Sequence, residues 1–120
     1  MNTDELKART KRFAVAAFEV VSHLPATMQG RIVGDQFLRC ATSVGANYRA
    51  AARARSHAEF IAKVGVVEEE ADESCYWLEL MLEAKLVPSV KIEPLLAEAR
   101  ELTAIFTASG RTARANRPRR

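Results

Sequence analysis

Apolar side chains recur every three or four residues along most of the chain, the spacing that places them on one face of an α-helix. Four such stripes are present, separated by segments containing proline, glycine or a capping serine. The stripes are Leu6, Phe13, Ala17, Val20 and Leu24, widened by Phe18 and Val21; Phe37, Ala41, Val44, Tyr48 and Ala51; Phe60, Val64, Val67, Ala71, Ser74, Leu78 and Met81; and Leu95, Ala99, Leu102 and Phe106. The pattern predicts four amphipathic helices and no strand.

Capping residues, glycines and prolines set the predicted helix boundaries. Thr3 is expected to cap the first helix, and Ser56 with Glu59 forms a capping box for the third. Gly110 is expected to stop the fourth, in which Pro94 is tolerated because the first turn needs no backbone donors. The predicted spans are 4–23, 32 or 35 to 55, 57–85 and 91–109, with a first connection over 25–34.

These elements predict an all-α fold, an antiparallel up-down-up-down four-helix bundle over residues 1–110. Residues 111–120, RTARANRPRR, contain no apolar side chain larger than Ala and are expected to form a disordered basic C-terminal tail. Gly45 lies in the middle of the second helix, where glycine costs about 1 kcal/mol relative to alanine. It therefore predicts a close helix–helix crossing.

The charges are unevenly distributed along the sequence. Residues 1–55 carry nine Lys/Arg against four Asp/Glu, residues 56–110 carry four against eleven, and residues 111–120 carry five Arg and no acid. The net charge of +3 therefore combines a basic half, an acidic half and a basic tail. We expect a cytoplasmic protein with no membrane association, because no stretch resembles a membrane span or the core of a signal peptide.

The basic side chains are the strongest candidates for binding. Arg39, Arg49 and Arg53 are spaced to share one side of the second helix, close to the cations of the first helix and to the arginine tail. The predicted nucleic-acid-binding set is Lys7, Arg9, Lys11, Arg12, Arg39, Arg49, Arg53, Arg55, Arg111, Arg114, Arg117, Arg119 and Arg120. Phosphate contact is one interpretation of this set. The alternatives are a solvated face, pairing with the acidic half, and, for the tail, a solubilising terminus.

Two pairs of side chains admit both a structural and a binding interpretation. Ser43 and Asn47 lie one helical turn apart and predict a buried hydrogen-bonded pair that sets helix register, with ligand binding as the alternative. Tyr76 and Trp77 could stack on bases, although adjacent helix positions favour one ring in the core and the other at a subunit interface.

No catalytic, metal or cofactor site is predicted. The acidic run Glu68–Glu73 invites comparison with di-metal carboxylate bundles, but those sites need Glu-x-x-His motifs, and neither His23 nor His57 completes one. Cys40 and Cys75 are expected to be buried free thiols in a reducing compartment, with a disulfide or a shared metal as the alternative. Neither histidine has a nucleophile in a plausible triad, and no phosphate-binding glycine loop is present.

Several of these residues also resemble a known family. The run LRCATSVGANYRAAARARS and the later segment AEFIAKVGVVEEEADESCYWLELM closely resemble the four-helix-bundle proteins encoded within 23S rRNA intervening sequences. Gln36, Arg39, the run 41–49 and the triplet 76–78 fall at the family's spacings, and the resemblance extends over about residues 5–109. One departure is Ala50, where the family usually has Glu, so any polar contact of that Glu is missing.

The resemblance implies an antiparallel four-helix bundle that assembles as a homopentamer. The family is also similar to the accessory proteins of diversity-generating retroelements, which work with a reverse transcriptase and nucleic acid. It therefore implies a non-enzymatic, RNA-binding accessory protein, with a reverse transcriptase or ribosomal RNA as the expected partner. The alternative is a protein-interaction scaffold in which the basic and acidic halves pair during ring assembly.

Overall fold

Four helices account for nearly all of the residues, 1–118, that the structure, a computed structural model, describes. They are α1 (Thr3–Val21), α2 (Met28–Ala52), α3 (His57–Glu83) and α4 (Ser89–Ala115). Each helix packs on the next, and α4 returns to α1. Because the connections are short, consecutive helices run antiparallel, and the bundle measures 54 × 23 × 20 Å. The predicted all-α four-helix bundle is confirmed.

The core consists of the side chains in the four apolar stripes. Phe13, Phe37, Leu78 and Phe106 are all fully or almost fully buried in one continuous cluster. Phe18 is an exception, since its side chain is 55% exposed rather than part of the first stripe. It directly follows the buried Ala17, and successive helical positions point about 100° apart.

The first connection is shorter than the sequence predicts. α2 begins at Met28, with the Thr27 side chain accepting a hydrogen bond from the Gly30 backbone N–H at 3.1 Å. Gly30 lies beneath the Pro25 carbonyl, and a Cβ on it would be 2.1 Å from that oxygen. Glycine is therefore required at position 30, where the backbone of the helix approaches the Pro25 carbonyl closely. The prediction that Gly30 belongs to the first connection was wrong.

The other helix starts show one further difference in capping. Asn2, and not Thr3, caps α1, with its Oδ1 accepting from the Glu5 backbone N–H at 2.8 Å. The predicted cap of α3 is confirmed, because Ser56 Oγ accepts from the Glu59 N–H at 3.1 Å. Pro94 lies in the second turn of α4, so the Val90 carbonyl loses its helical donor, but Val90 is exposed and its surroundings are open to water.

Helix α4 continues through Gly110 to Ala115, so the prediction that it stops at Gly110 was wrong. Gly110 and Ala113 are both buried and extend the core face beyond Phe106. The His57 ring packs at the same end, with its Nε2 hydrogen-bonded to the Ala113 carbonyl at 2.6 Å. Packing against the start of α3 thus orders residues that their composition alone suggests are disordered.

Gly45 marks the predicted close crossing. A Cβ at this position would lie 3.2 Å from Thr10 Oγ1 and 3.4 Å from the Thr10 backbone carbon. Thr10 is fully buried, and its hydroxyl donates to the Leu6 carbonyl at 2.8 Å within α1. The missing side chain at Gly45 therefore lets α1 approach α2 closely enough to bury a threonine.

Both cysteines are buried free thiols, as predicted. Ser74 Oγ donates to Cys40 Sγ at 3.3 Å, which links α3 to α2 inside the core. Burial raises the pKa of Cys40 to about 11, so the thiol stays protonated near neutral pH. Burial also raises the pKa of Cys75, which lies 3.7 Å from Thr103 Oγ1.

Candidate nucleic-acid interface

One end of the bundle gathers cations from all four helices. The antiparallel arrangement brings together the start of α1, the end of α2, the start of α3 and the end of α4. We call this region the basic end, and its cations are Lys7, Lys11, Arg12, Arg49, Arg53, Arg55, Lys63, Arg111, Arg114 and Arg117. The acids in the same helix segments are Asp4, Glu5 and Glu59, so positive charge dominates there.

The acidic side chains lie mainly towards the opposite end. They occupy the later part of α3 and the first half of α4, at Glu68, Glu69, Glu70, Asp72, Glu73, Glu79, Glu83, Glu93, Glu98 and Glu101. The charge therefore separates along the long axis of the bundle.

The groove between α1 and α2 brings three of the predicted residues together. Lys7, Lys11 and Arg49 line a depression of about 210 Å³ whose floor includes Thr10 and Gly45. Lys11 and Arg49 are exposed, and Lys7 is half-buried. Three cations at one groove provide a site where phosphate groups could bind.

Arg12 borders the same region on its outer side. A broader depression of about 850 Å³ extends from Lys7, Lys11 and Arg49 along the outward face of α1 to Arg12 and the exposed Val15. The groove between α1 and α2 is thus continuous with the solvent-facing surface of α1. Arg12 can contribute to the same positive surface.

A second group of cations surrounds the turn between α2 and α3. Arg53, Arg55, Glu59 and Lys63 line an open depression of about 400 Å³. Glu59 accepts a hydrogen bond from the Arg55 backbone N–H at 3.0 Å, which fixes the turn. Sequence reasoning missed Lys63, because it lies in the acidic half; its position one turn after Glu59, close to the α2–α3 connection, could have revealed it.

Arg9 does not belong to this surface. Its guanidinium donates from Nε and Nη2 to the two carboxylate oxygens of Glu98, both at 2.7 Å, and joins α1 to α4. The hydrogen bond to Glu98 raises the pKa of Arg9 above its usual range. The prediction that Arg9 contacts phosphate is therefore corrected to a structural role between helices.

Arg39 is separated from Arg49 and Arg53. Ten residues of helix, about 15 Å, lie between Arg39 and Arg49. Burial and the neighbouring acids raise the pKa of Glu70 in α3, and the charge of Arg39 opposes part of that rise. Arg39 therefore lies near the acidic part of α3 and is not part of the basic end.

Two tail arginines occupy an ordered helix. Arg111 and Arg114 are exposed on the last turns of α4, and Arg117 follows directly after it. Gly110 and Ala113 are buried and continue the apolar spacing beyond Phe106, although the sequence analysis interpreted Gly110 as a stop. Arg119 and Arg120 lie outside the described residues.

Ser43 and Asn47 form a local contact within one helix. Asn47 Nδ2 donates to the Ser43 backbone carbonyl at 2.9 Å, and both side chains are only half-buried. The predicted buried pair between their side chains is therefore wrong. An amide bonded within its own helix adds little to the register between helices.

The acidic run offers carboxylates but no metal cluster. Within residues 1–118 no group of three or more His, Cys, Asp or Glu side chains could hold a metal ion. Thr107 donates instead to Glu68 Oε2 at 2.6 Å and joins α4 to α3.

Among residues 1–118, none of the helices combines the length and the apolar character that a membrane span requires.

Tyr76 and Trp77 pack edge to face, with ring centroids 5.0 Å apart. Tyr76 is 56% exposed, while Trp77 is half-buried against the core. The two rings lie in the later part of α3, away from the basic end. Their place in the fold therefore separates them from the cations that could hold a nucleic acid.

Comparison with known proteins identifies a family and a similar solved structure. The model of the family described as 23S rRNA-intervening sequence protein matches residues 4–108. A crystal structure at 1.70 Å of a protein with unknown function, from the S23 ribosomal protein family of Bacteroides thetaiotaomicron, has a TM-score of 0.83 and 29% sequence identity. The match covers 92% of this chain and 99% of that one. No curated protein matches the chain.

Proposed function

Because the chain belongs to the 23S rRNA-intervening sequence protein family, we propose that it is a non-enzymatic nucleic-acid-associated accessory protein that binds RNA at its basic end. The observation that carries the proposal is the convergence of cations from all four helices. Such a surface attracts polyanions because each neutralised phosphate releases counterions. The partner expected for this role is a reverse transcriptase or ribosomal RNA.

The proposal includes assembly into a homopentamer. Exposed apolar side chains support it, since Val15, Phe18, Met28, Ile32 and Val90 all lie outside the core. Four of these, from Phe18 to Val90, lie near the end opposite the basic end. Self-association through that part of the bundle leaves the cations accessible in every copy.

The test is RNA binding by a charge-reversed variant and a matched control. Arg49→Glu with Arg53→Glu changes two exposed cations at the basic end, whereas Arg31→Glu with Lys91→Glu makes the same change in net charge at the opposite end. Fluorescence anisotropy with labelled RNA should show at least a roughly tenfold weaker Kd for the first variant only. The salt dependence of log K should become shallower by about 0.7–0.9 per lost phosphate contact.

Equal losses in both variants would mean that net charge alone governs binding and that the basic end is not the site. Unchanged binding in both would reject the proposal. Circular dichroism on each variant checks that helicity is retained, which is expected because all four side chains are exposed.

The separation of charge along the axis also favours a second candidate, a protein-interaction scaffold. In that case the basic end of one copy pairs with the acidic part of another, and the protein has no role in nucleic-acid binding. Salt distinguishes the two candidates, because a scaffold of this kind loses mass in light scattering as salt rises. The proposed RNA-binding protein keeps its mass and loses RNA.

A further inference from the structure

Aromatic rings are almost absent from the surface of the basic end. Of the eight aromatic residues in the sequence, Phe13, Phe37, Tyr48 and Phe106 are buried. The two exposed rings, Phe18 and Tyr76, and the half-buried Trp77 lie in the later parts of α1 and α3. Tyr76 is about 29 Å along α3 from its first residue.

Phe60, in the first turns of α3, is the remaining ring, and its side chain is half-buried. A ring partly covered by its own bundle offers little of its face to a base. Proteins that hold single strands combine cations with exposed rings on which successive bases stack, at about 1–3 kcal/mol per base. The basic end has the cations and lacks the exposed rings.

The amides at the basic end are also poorly placed to read bases. Asn2 Oδ1 accepts from the Glu5 backbone N–H at 2.8 Å, and Asn47 Nδ2 donates to the Ser43 carbonyl at 2.9 Å. Two of the three asparagines in this region are thus engaged with the backbone of their own helices. The groups left facing outwards are mainly lysine and arginine, which contact phosphates without reading sequence.

A surface that binds by charge alone favours the ligand with the highest charge density. A nucleic-acid duplex carries one negative charge per about 1.7 Å of its axis, because both strands contribute, and therefore releases more counterions per contact than a single strand. From these observations we infer that the basic end binds duplex nucleic acid through its phosphate backbone and discriminates against unstructured single strands. This inference rests on the proposed function and specifies its ligand class.

The experiment compares four probes of equal length by anisotropy at several salt concentrations. They are an RNA duplex, a DNA duplex, an unstructured RNA single strand and an abasic single strand. We expect both duplexes to bind within about threefold of each other and at least tenfold more tightly than the single strand. The abasic strand should match the strand with bases within about twofold, because no base is stacked.

Phe60→Leu tests the one ring at this end that is not buried. Arg49→Glu plus Arg53→Glu is the variant expected to lose binding. Phe60→Leu should change duplex affinity by less than twofold. Preference for the single strand, loss of affinity on removing its bases, or a tenfold loss in Phe60→Leu would overturn the inference while leaving nucleic-acid binding intact. Binding of the RNA duplex alone would also overturn it, since the protein would then recognise groove shape. Failure to bind any probe would reject the proposed function as well.

Discussion

Three glycines inside helices differ in what surrounds their missing side chain. A Cβ on Gly30 would be 2.1 Å from the Pro25 carbonyl oxygen, and one on Gly45 would be 3.2 Å from Thr10 Oγ1. A Cβ on Gly65, in α3, would meet nothing within 4 Å. Two of these glycines are therefore fixed by packing, and the third only lowers the intrinsic helix propensity.

This difference predicts opposite effects of the same substitution. Gly65→Ala should stabilise the protein by about 0.5–1 kcal/mol, because alanine loses less backbone entropy in a helix. Gly30→Ala should destabilise it by about 3 kcal/mol, because the connection must shift away from the new Cβ. Urea unfolding followed by circular dichroism at fixed protein concentration measures both. Stabilisation by Gly30→Ala would contradict the packing described for the first connection.

For the helices, the sequence predicts which segments are helical better than it predicts where each helix begins and ends. Apolar periodicity is local, so all four stripes and the cap at Ser56 could be identified from the residues alone. The roles of Gly30 and Gly110 were predicted wrongly because they depend on packing that apolar periodicity does not show. Gly30 packs against the Pro25 carbonyl, and Gly110 packs near Val64 of α3. Arg9 was misread for the same reason, since only the packing of α1 on α4 brings it to Glu98.

The end of α4 should depend on one histidine. His57→Ala removes the hydrogen bond to the Ala113 carbonyl and should cost about 1 kcal/mol. Amide hydrogen exchange should then speed up over residues 110–115 and remain slow over 95–106, whose side chains form the core. His23→Ala is the matched control, because the His23 ring follows the end of α1 and is paired with the exposed Glu19 at 3.3 Å. Equal exchange in both variants would show that packing alone orders the end of α4.

The whole molecule has apolar and basic surfaces in different places, and this arrangement makes assembly testable separately from binding. The unaltered protein should scatter light as five copies of the 13.3 kDa chain. Phe18→Glu with Ile32→Glu should reduce that mass while keeping helicity, because both side chains are more than half exposed. Arg49→Glu with Arg53→Glu changes exposed cations at the basic end; it is the control and should leave the mass unchanged. A mass of one chain for the unaltered protein would reject the pentamer.

The antiparallel order of the helices also determines where a tag or a label can be attached to the protein. Thr3 begins α1 and Ala115 ends α4 at the same end, next to the turn at Arg53 and Arg55. An affinity tag or fluorescent protein at either terminus would therefore stand beside the cations and compete with a ligand for space. A label that must leave the arginines uncovered therefore cannot be attached at either terminus.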